Sequence, residues 1–380
     1  MFKVRQKLKE NSLLLAFSSM KITVICLSLL LILTFWGTIA QIDQGLYQAQ
    51  ERFFYSWFFT AMGFLPFPGA RFVLWILFIN LVCATITRLD YKMSHLGLII
   101  VHFGLLSYFI SAFITFYVAK ESHLTLMEGD GSNVSSSYHE WELSVWEKNS
   151  KNRHHVMAYD TDHFLSGEKF SFDDLGFHMT IKAYYPNAQA YVSPLEDSKD
   201  IVNDSGIKTL SPLVFKKINP EENMPGGIFE VFDHQGNEST LLLYGAEKKP
   251  TEIKIGSKFY NFMLRHKRFS LPMTLTLKDF DMQVHPGTDV AKSYKSLVQI
   301  EHDDLTREVL IYMNHPLRYK DYTFYQASYA IDSLGRQLST LAVVKNSGRL
   351  LPYISCSVVF IGLLIHFLVM AFTPPENRVL

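Results

Sequence analysis

Apolar positions gather at the two ends of this chain. Ile22 to Ala40 and Phe72 to Thr87 are near-continuous apolar runs, and Leu96 to Val118 is a third, without formal charge. A fourth run, Tyr353 to Phe372, is closed by Pro374-Pro375. A helix of about 20 apolar residues matches the hydrocarbon thickness of a bilayer, so four transmembrane α-helices are predicted. Between the third and fourth runs the pattern changes to short alternating stretches: Glu142 to Trp146, His178 to Tyr185, Thr240 to Tyr244, Met273 to Leu277 and Ser296 to Glu301. Gly129-Asp130-Gly131, Pro225-Gly226-Gly227 and Pro286-Gly287 read as turns between them. Alternation broken by turns is the pattern of antiparallel strands with one buried face. The expected fold is a membrane protein with four transmembrane α-helices and a large extracytoplasmic β-rich domain, sandwich-like or an open barrel.

The boundaries follow. Residues 1–21 are a cytoplasmic tail, and 22–118 hold three transmembrane helices with an interfacial aromatic segment at 41–70. Residues 119–351 are the extracytoplasmic β-rich domain, 352–373 the fourth transmembrane helix and 374–380 a second cytoplasmic tail. The aromatic segment packs Tyr47, Phe53, Phe54, Tyr55, Trp57, Phe58 and Phe59 ahead of Pro66 and Pro68. Such density predicts a short helix lying in the membrane interface; a lid on the outside domain is the other reading. Glu196 to Gly206 reads as a polar surface loop. The first run is longer than a signal-peptide core and no small-x-small site follows it, so it is expected to stay as a span.

Charge sets the orientation. Lys3, Arg5, Lys7 and Lys9, then Arg88 and Lys92, then Arg378 all fall on one side of a four-span chain. The positive-inside rule makes that side cytoplasmic. Arg52 and Arg71 fall on the other side and count against it. The net charge is zero, which gives no electrostatic reason to expect nucleic acid as a partner. Cys26, Cys83 and Cys356 all lie in apolar runs, and there is no CxxC or CxxCH. That argues against a thioredoxin-like redox centre and against haem attached covalently to this chain. No P-loop, Ser-His-Asp or paired-carboxylate pattern stands out, so no catalytic residue is assigned. The histidines of the central region show no HExxH spacing and read as surface or core; adjacent His154 and His155 on a strand would face opposite ways.

Three histidines carry the candidate chemistry. His102 sits inside the third run, where an imidazole needs a hydrogen-bonding partner or a ligand. Neutral imidazole in an apolar shell suits haem iron, while a hydrogen bond to a neighbouring helix would satisfy the ring equally well. His366 lies at the same depth, each about 9 Å from the inner end of its helix at 1.5 Å rise per residue. The pair could sandwich a haem within the chain, or His366 could pack or support the site. His95 stands seven residues before His102, on nearly the same helical face. Beside it, Arg88 and Lys92 could meet haem propionates or serve only as topology signals.

The chain resembles the ResB type of cytochrome c biogenesis protein, also called CcsB. The resemblance rests on Trp36-Gly37-Thr38, Gly45-Leu46-Tyr47, Ser56-Trp57-Phe58, Pro66-Phe67-Pro68-Gly69-Ala70 and Ile79-Asn80-Leu81. It continues through Gly97, His102-Phe103-Gly104-Leu105, Glu128-Gly129 and Trp141-Glu142-Leu143. It ends with Asn314-His315-Pro316-Leu317, Phe324-Tyr325-Gln326-Ala327-Ser328-Tyr329, Gly348-Arg349 and Pro352-Tyr353. The resemblance implies cytochrome c maturation in a bacterial cytoplasmic (inner) membrane. With a CcsA-type partner, such a subunit brings haem b across the membrane and supports its attachment to apocytochrome c. The five tryptophans here are scattered, so the tryptophan-rich half would be a separate chain. By the same resemblance His102 is an axial ligand to haem iron, the second ligand comes from the partner, and the chain is at most a non-catalytic or partly catalytic subunit of a haem lyase. Two rivals remain at this point: a b-type haem electron carrier using His102 and His366, and a haem-free assembly scaffold anchored in the membrane.

Overall fold

A computed structural model of the chain describes residues 11–148, 156–172, 175–193, 201–216, 220–233, 236–288, 291–332 and 334–372. The basic residues of the N-terminal tail, His154, His155, His234, Pro374-Pro375, Arg378 and the first half of the 196–206 stretch lie outside them. The chain divides into two compact units. One holds the residues up to Lys120, Tyr319–Tyr322 and Lys345 onward; the other holds Glu121–Arg318 and Thr323–Val344.

The first unit is helical. Its helices are α1 (Ser12–Phe17), α2 (Met20–Ala49), α3 (Ala70–Thr87), α4 (Leu96–Val118) and α5 (Leu351–Phe372). Four of them, α2 to α5, are long and apolar enough to cross a membrane, so the protein is a membrane protein. Short polar side chains start the first two: Asn11 Oδ1 accepts from Leu13 N and Leu14 N, and Ser19 Oγ accepts from Lys21 N. Helices α4 and α5 meet through glycine. A Cβ built on Gly104 would lie 2.7 Å from Val359 Cγ2, and one on Gly362 would lie 2.8 Å from Val101 N. Missing side chains let two backbones approach, and contact of this kind holds helices together where lipid supplies no hydrophobic drive. Ser355 Oγ adds a hydrogen bond to Ser107 Oγ at 3.0 Å.

The aromatic segment is not the separate interfacial helix expected from its composition. Helix α2 continues to Ala49 across a break at Gly45, whose φ of 71° is open to glycine at little cost. A π-helical turn, Gln50–Tyr55, follows. Then β1 (Phe58–Ala61) and β2 (Leu65–Pro68) form an antiparallel hairpin. The aromatics fold back rather than lie flat, because they find each other. Trp36 meets Phe53, Phe59 and Phe67 at ring separations of 5.4, 5.7 and 5.8 Å. The two arginines that count against the orientation are held by rings. Arg52 lies 5.4 Å from the Phe53 ring and 5.5 Å from that of Phe59. Arg71 lies 4.9 Å from Trp57 and donates to Tyr117 Oη at 2.6 Å.

The second unit is built of strands. In chain order they are β3 (Lys120–Met127), β4 (Gly131–Glu147), β5 (Met157–Asp160), β6 (Lys169–Phe172), β7 (Phe177–Tyr185), β8 (Ala188–Tyr191), β9 (Ile201–Val202) and β10 (Thr209–Pro212). Then come β11 (Gly226–Asp233), β12 (Glu238–Tyr244), β13 (Thr251–Ile255), β14 (Lys258–Val284), β15 (Ala291–His302), β16 (Leu305–Tyr312), β17 (Leu317–Tyr319), β18 (Tyr322–Ile331) and β19 (Gln337–Lys345). Ten belong to one sheet, ordered β16-β15-β14-β4-β3-β19-β18-β17 with β13 and β5 attached to β14 and β4. A five-stranded sheet runs β6-β7-β11-β12-β9. The two sheets enclose a core of Leu143, Val145, Phe177, Met179, Ile181, Phe229, Leu241 and Phe262, as alternation predicts for a sandwich. The far end of the large sheet curls over itself. Ser296 on β15 bonds both Ser339 on β19 and Gln326 on β18, each at 2.7 Å. The described strands form no closed barrel.

Every alternating stretch named from the sequence falls on a strand. Two of the three turn signals hold: Gly129 and Gly287 take φ of 85° and 76° between paired strands. Gly226 and Gly227 instead lie inside β11. A Cβ at Gly227 would sit 2.6 Å from Phe229 Cζ, so these glycines make room for core side chains. Within the 196–206 loop, Ile201–Val202 pairs with β12 in parallel.

Candidate functional site

A pocket of about 490 Å³ opens in the helical unit among α2, α3 and α4. Its wall is mostly apolar: Leu27, Leu77, Leu81, Ala84, Leu89, Leu105 and Phe109. Ligand pockets span roughly 300–1,000 Å³ and are apolar with a few placed polar groups. The polar groups here are Ser18, Thr23, Asn80, Arg88 and His102. The pocket lies in the half of the spans nearest the Arg88–His95 connection.

Asn80 builds one end of it. Its Nδ2 donates to Phe17 O at 2.6 Å and to Ser19 O at 3.0 Å, while Oδ1 accepts from Thr23 Oγ1 at 2.7 Å. One buried amide therefore ties α3 to the junction of α1 and α2, and satisfies carbonyls left over where those helices meet. Arg88 caps the other side of this corner: its Nε donates to Ser18 Oγ at 3.2 Å, and Ser18 Oγ donates to Leu15 O at 2.9 Å. Among the described residues the terminal nitrogens of this guanidinium make no hydrogen bond.

His102 comes from α4. Its Nδ1 lies 3.1 Å from Thr85 Oγ1 on α3. Thr85 is buried, and its hydroxyl also donates to Leu81 O at 2.8 Å. The ring thus has a partner on a neighbouring helix and also lines the cavity. Among the described residues, Nε2 makes no hydrogen bond.

The other two candidates stand apart from the pocket. His366 lies on α5, its backbone against Gly97 of α4 and its ring 5.7 Å from that of Phe367. It is not among the lining residues, so the structure does not bring His102 and His366 onto one cavity. His95 ends a 3-10 turn, Met93–His95, before α4 begins. It is therefore not on the regular face seven residues below His102, and it does not line the pocket either. Thr85 carries no mark of this role in the sequence, and Asn80 stands out there only within the resemblance. The available signal was a buried-type polar residue within an apolar span, which a membrane makes costly unless it has work.

The ResB-like family matches residues 243–342 of this chain. Protein NrfI of Wolinella succinogenes is 32% identical over 100 residues, 26% of this chain and 11% of that protein. Over that stretch the chain is similar to the ResB-like family. The matched stretch starts at the end of β12 and runs to β19, within the strand-built part. It reaches neither His102 nor the pocket, and it spans about a tenth of the relative's length.

Proposed function

We propose that this chain is a membrane subunit of cytochrome c maturation and that the pocket around His102 receives haem b as cargo. The ResB-like match and the sequence resemblance support the role in cytochrome c biogenesis. The observation that carries the haem reading is the pocket itself: an apolar intramembrane cavity with one imidazole on its wall and one guanidinium at its corner. Haem presents the complementary set, an apolar ring, an iron that takes nitrogen, and carboxylates that pair with arginine. His102 would supply one axial ligand and Arg88 would face the propionates. The cavity is open, which leaves room for a second ligand from a CcsA-type partner. In this reading the Arg88–His95 connection faces the cytoplasm of a bacterial inner membrane, and the β-rich domain lies outside, where apocytochrome c is handled. Cys26 and Cys83 are buried, and Cys356, though exposed, lies within the apolar span α5; in this reading the apocytochrome thiols are reduced by a separate pathway. The chain acts as a haem-handling subunit rather than as the catalyst of thioether formation. The b-type carrier, which needs His366 on the same haem, is disfavoured because His366 lines no part of the pocket.

The test is a haem stain and visible spectrum of the purified chain, alone and co-expressed with a CcsA-type partner, for wild type and His102→Ala. Haem retained with the partner and lost on substitution supports this reading. Haem held by the lone chain and dependent on His366 restores the b-type carrier. Absence of haem from every sample, with cytochrome c still matured by His102→Ala cells, leaves the scaffold.

A further inference from the structure

We propose that Thr85 sets the tautomer of His102, placing the ring proton on Nδ1 and leaving the Nε2 lone pair for the pocket. The available protons decide the tautomer. A threonine hydroxyl has one proton and two lone pairs. Thr85 Oγ1 lies 2.8 Å from Leu81 O and 3.1 Å from His102 Nδ1. A carbonyl only accepts, so the bond to Leu81 takes the hydroxyl proton. The contact with His102 is then a hydrogen bond only when Nδ1–H donates to Oγ1. With the proton on Nε2, Thr85 would have to turn its own proton to Nδ1 and give up Leu81, one bond in place of two. The spacing from Thr85 to Leu81 is the i to i−4 geometry that β-branched threonine adopts within a helix. The hydroxyl is thus held in place by its own helix before His102 arrives. Burial of Thr85 at 4% exposure keeps water from offering an alternative.

The consequence concerns Nε2. In the neutral ring with Nδ1 protonated, Nε2 is the basic nitrogen, and a hydrogen bond at Nδ1 fixes the ring plane and raises ligand basicity. Thr85 is a positioning residue that prepares one nitrogen for a Lewis acid. The tautomer follows from the hydrogen bonds alone; its use toward haem rests on the function proposed above.

Two measurements separate these layers. The first uses the full chain labelled with ¹⁵N-histidine in detergent micelles without haem, His102 being assigned by difference against His102→Gln. Wild type is expected to show protonated-type Nδ1 and lone-pair-type Nε2, Thr85→Ser the same, and Thr85→Val a mixture or the reverse. An Nε2–H ring in wild type, or a Thr85→Val spectrum identical to wild type, overturns the proposal. The second titrates ferric haem b into the full chain co-purified with a CcsA-type partner. Thr85→Val is expected to raise the half-saturation point about 10-fold or more, the usual cost of losing such a partner, with Thr85→Ser staying within about 3-fold. The reduced visible band is expected to shift in the valine variant and not in the serine one. Equal titrations and spectra for valine and wild type overturn the positioning role. Failure of wild type to take up haem overturns the proposed function, while the ¹⁵N result still decides what Thr85 does.

Discussion

Gly97 lies against the backbone of His366, with no room for a side chain between α4 and α5. A Cβ there would fall 2.7 Å from His366 Cβ and closer still to its backbone. Gly97 and His102 are five residues apart, roughly 140° around a helix at 3.6 residues per turn. One side of α4 therefore carries α5 while another carries the pocket. Two histidines at one depth end up doing different jobs: His102 faces a cavity and His366 marks a packing seam.

That division separates two substitutions. Gly97→Leu is expected to push α5 off α4, because the clash is with backbone, which gives way less readily than a flexible side chain. The expected result is loss of folded, monodisperse protein on detergent gel filtration. His366→Phe keeps the backbone at the seam and is expected to retain partner-dependent haem within about twofold of wild type, against 10-fold or more lost in His102→Ala. A His366→Phe protein that loses haem while remaining folded would return His366 to the site.

Asn80 anchors the pocket through three hydrogen bonds to Phe17, Ser19 and Thr23. Side-chain hydrogen bonds within membranes average about 0.6 kcal/mol, with the largest near 1.7. Asn80→Leu is expected to destabilise the helical unit by roughly 1–3 kcal/mol, since two carbonyls and a hydroxyl lose partners at once. Thermal unfolding of the full chain in detergent, followed by helical circular dichroism, measures this. An unchanged midpoint would mean that water or lipid replaces the amide without loss.

Much of this was legible in the sequence, and the exceptions are physical. Four apolar runs and alternating strands need only local periodicity, and both came through. The fate of Gln41 to Gly69 did not, because Trp36 collects Phe53, Phe59 and Phe67 over a distance that local pattern cannot see. Gly226 and Gly227 look like a turn next to Pro225, yet β11 uses them to admit Phe229. His102 was visible as an anomaly: a titratable ring in an apolar run. Thr85 was not, since threonine is unremarkable in a span until a ring nitrogen stands 3.1 Å away. His366 stays open between sandwiching haem and packing when only the sequence is read, because depth along a helix is readable from numbering, whereas the facing side depends on which helix packs where.

Glu142 and Arg265 form a largely buried ion pair on neighbouring strands β4 and β14, Nε to Oε1 at 2.8 Å with side-chain exposures of 6% and 13%. Removing one partner leaves the other charge stranded, which costs about 3–5 kcal/mol. Arg265→Met is expected to unfold the strand-built unit at markedly lower denaturant concentration. The double variant Arg265→Met with Glu142→Leu is expected to recover most of the loss, because two apolar chains need no compensation. Equilibrium unfolding followed by the β-sheet signal tests the pair, and a double variant no better than the single one would show that shape rather than charge sets the cost.

The strand-built unit also carries a pH dependence with a definite sign. His123 and His266 lie with ring centroids 6.3 Å apart, His266 packs tilted on Trp141 at 3.9 Å, and both Nδ1 atoms are buried without a hydrogen bond among the described residues. Burial holds the pKa of His123 below its ordinary value of 6.5, and does the same for His266, where the neighbouring His123 adds to it. His139 is also lowered by burial, against the opposing pull of Glu221, Glu121 and Glu140. A depressed folded-state pKa means that the unfolded chain binds protons first as the pH falls. These groups therefore cost nothing above about pH 7.5, where folded and unfolded rings are alike neutral, and stability is lost as pH falls through 6.5 toward the folded values. The expected record is an unfolding midpoint that is flat from about pH 7.5 upward and falls steadily below 6.5. His266→Phe removes one of the groups whose pKa is depressed, so its decline below pH 6.5 should be shallower than wild type. A variant whose decline is as steep as wild type would assign the acid sensitivity to other groups.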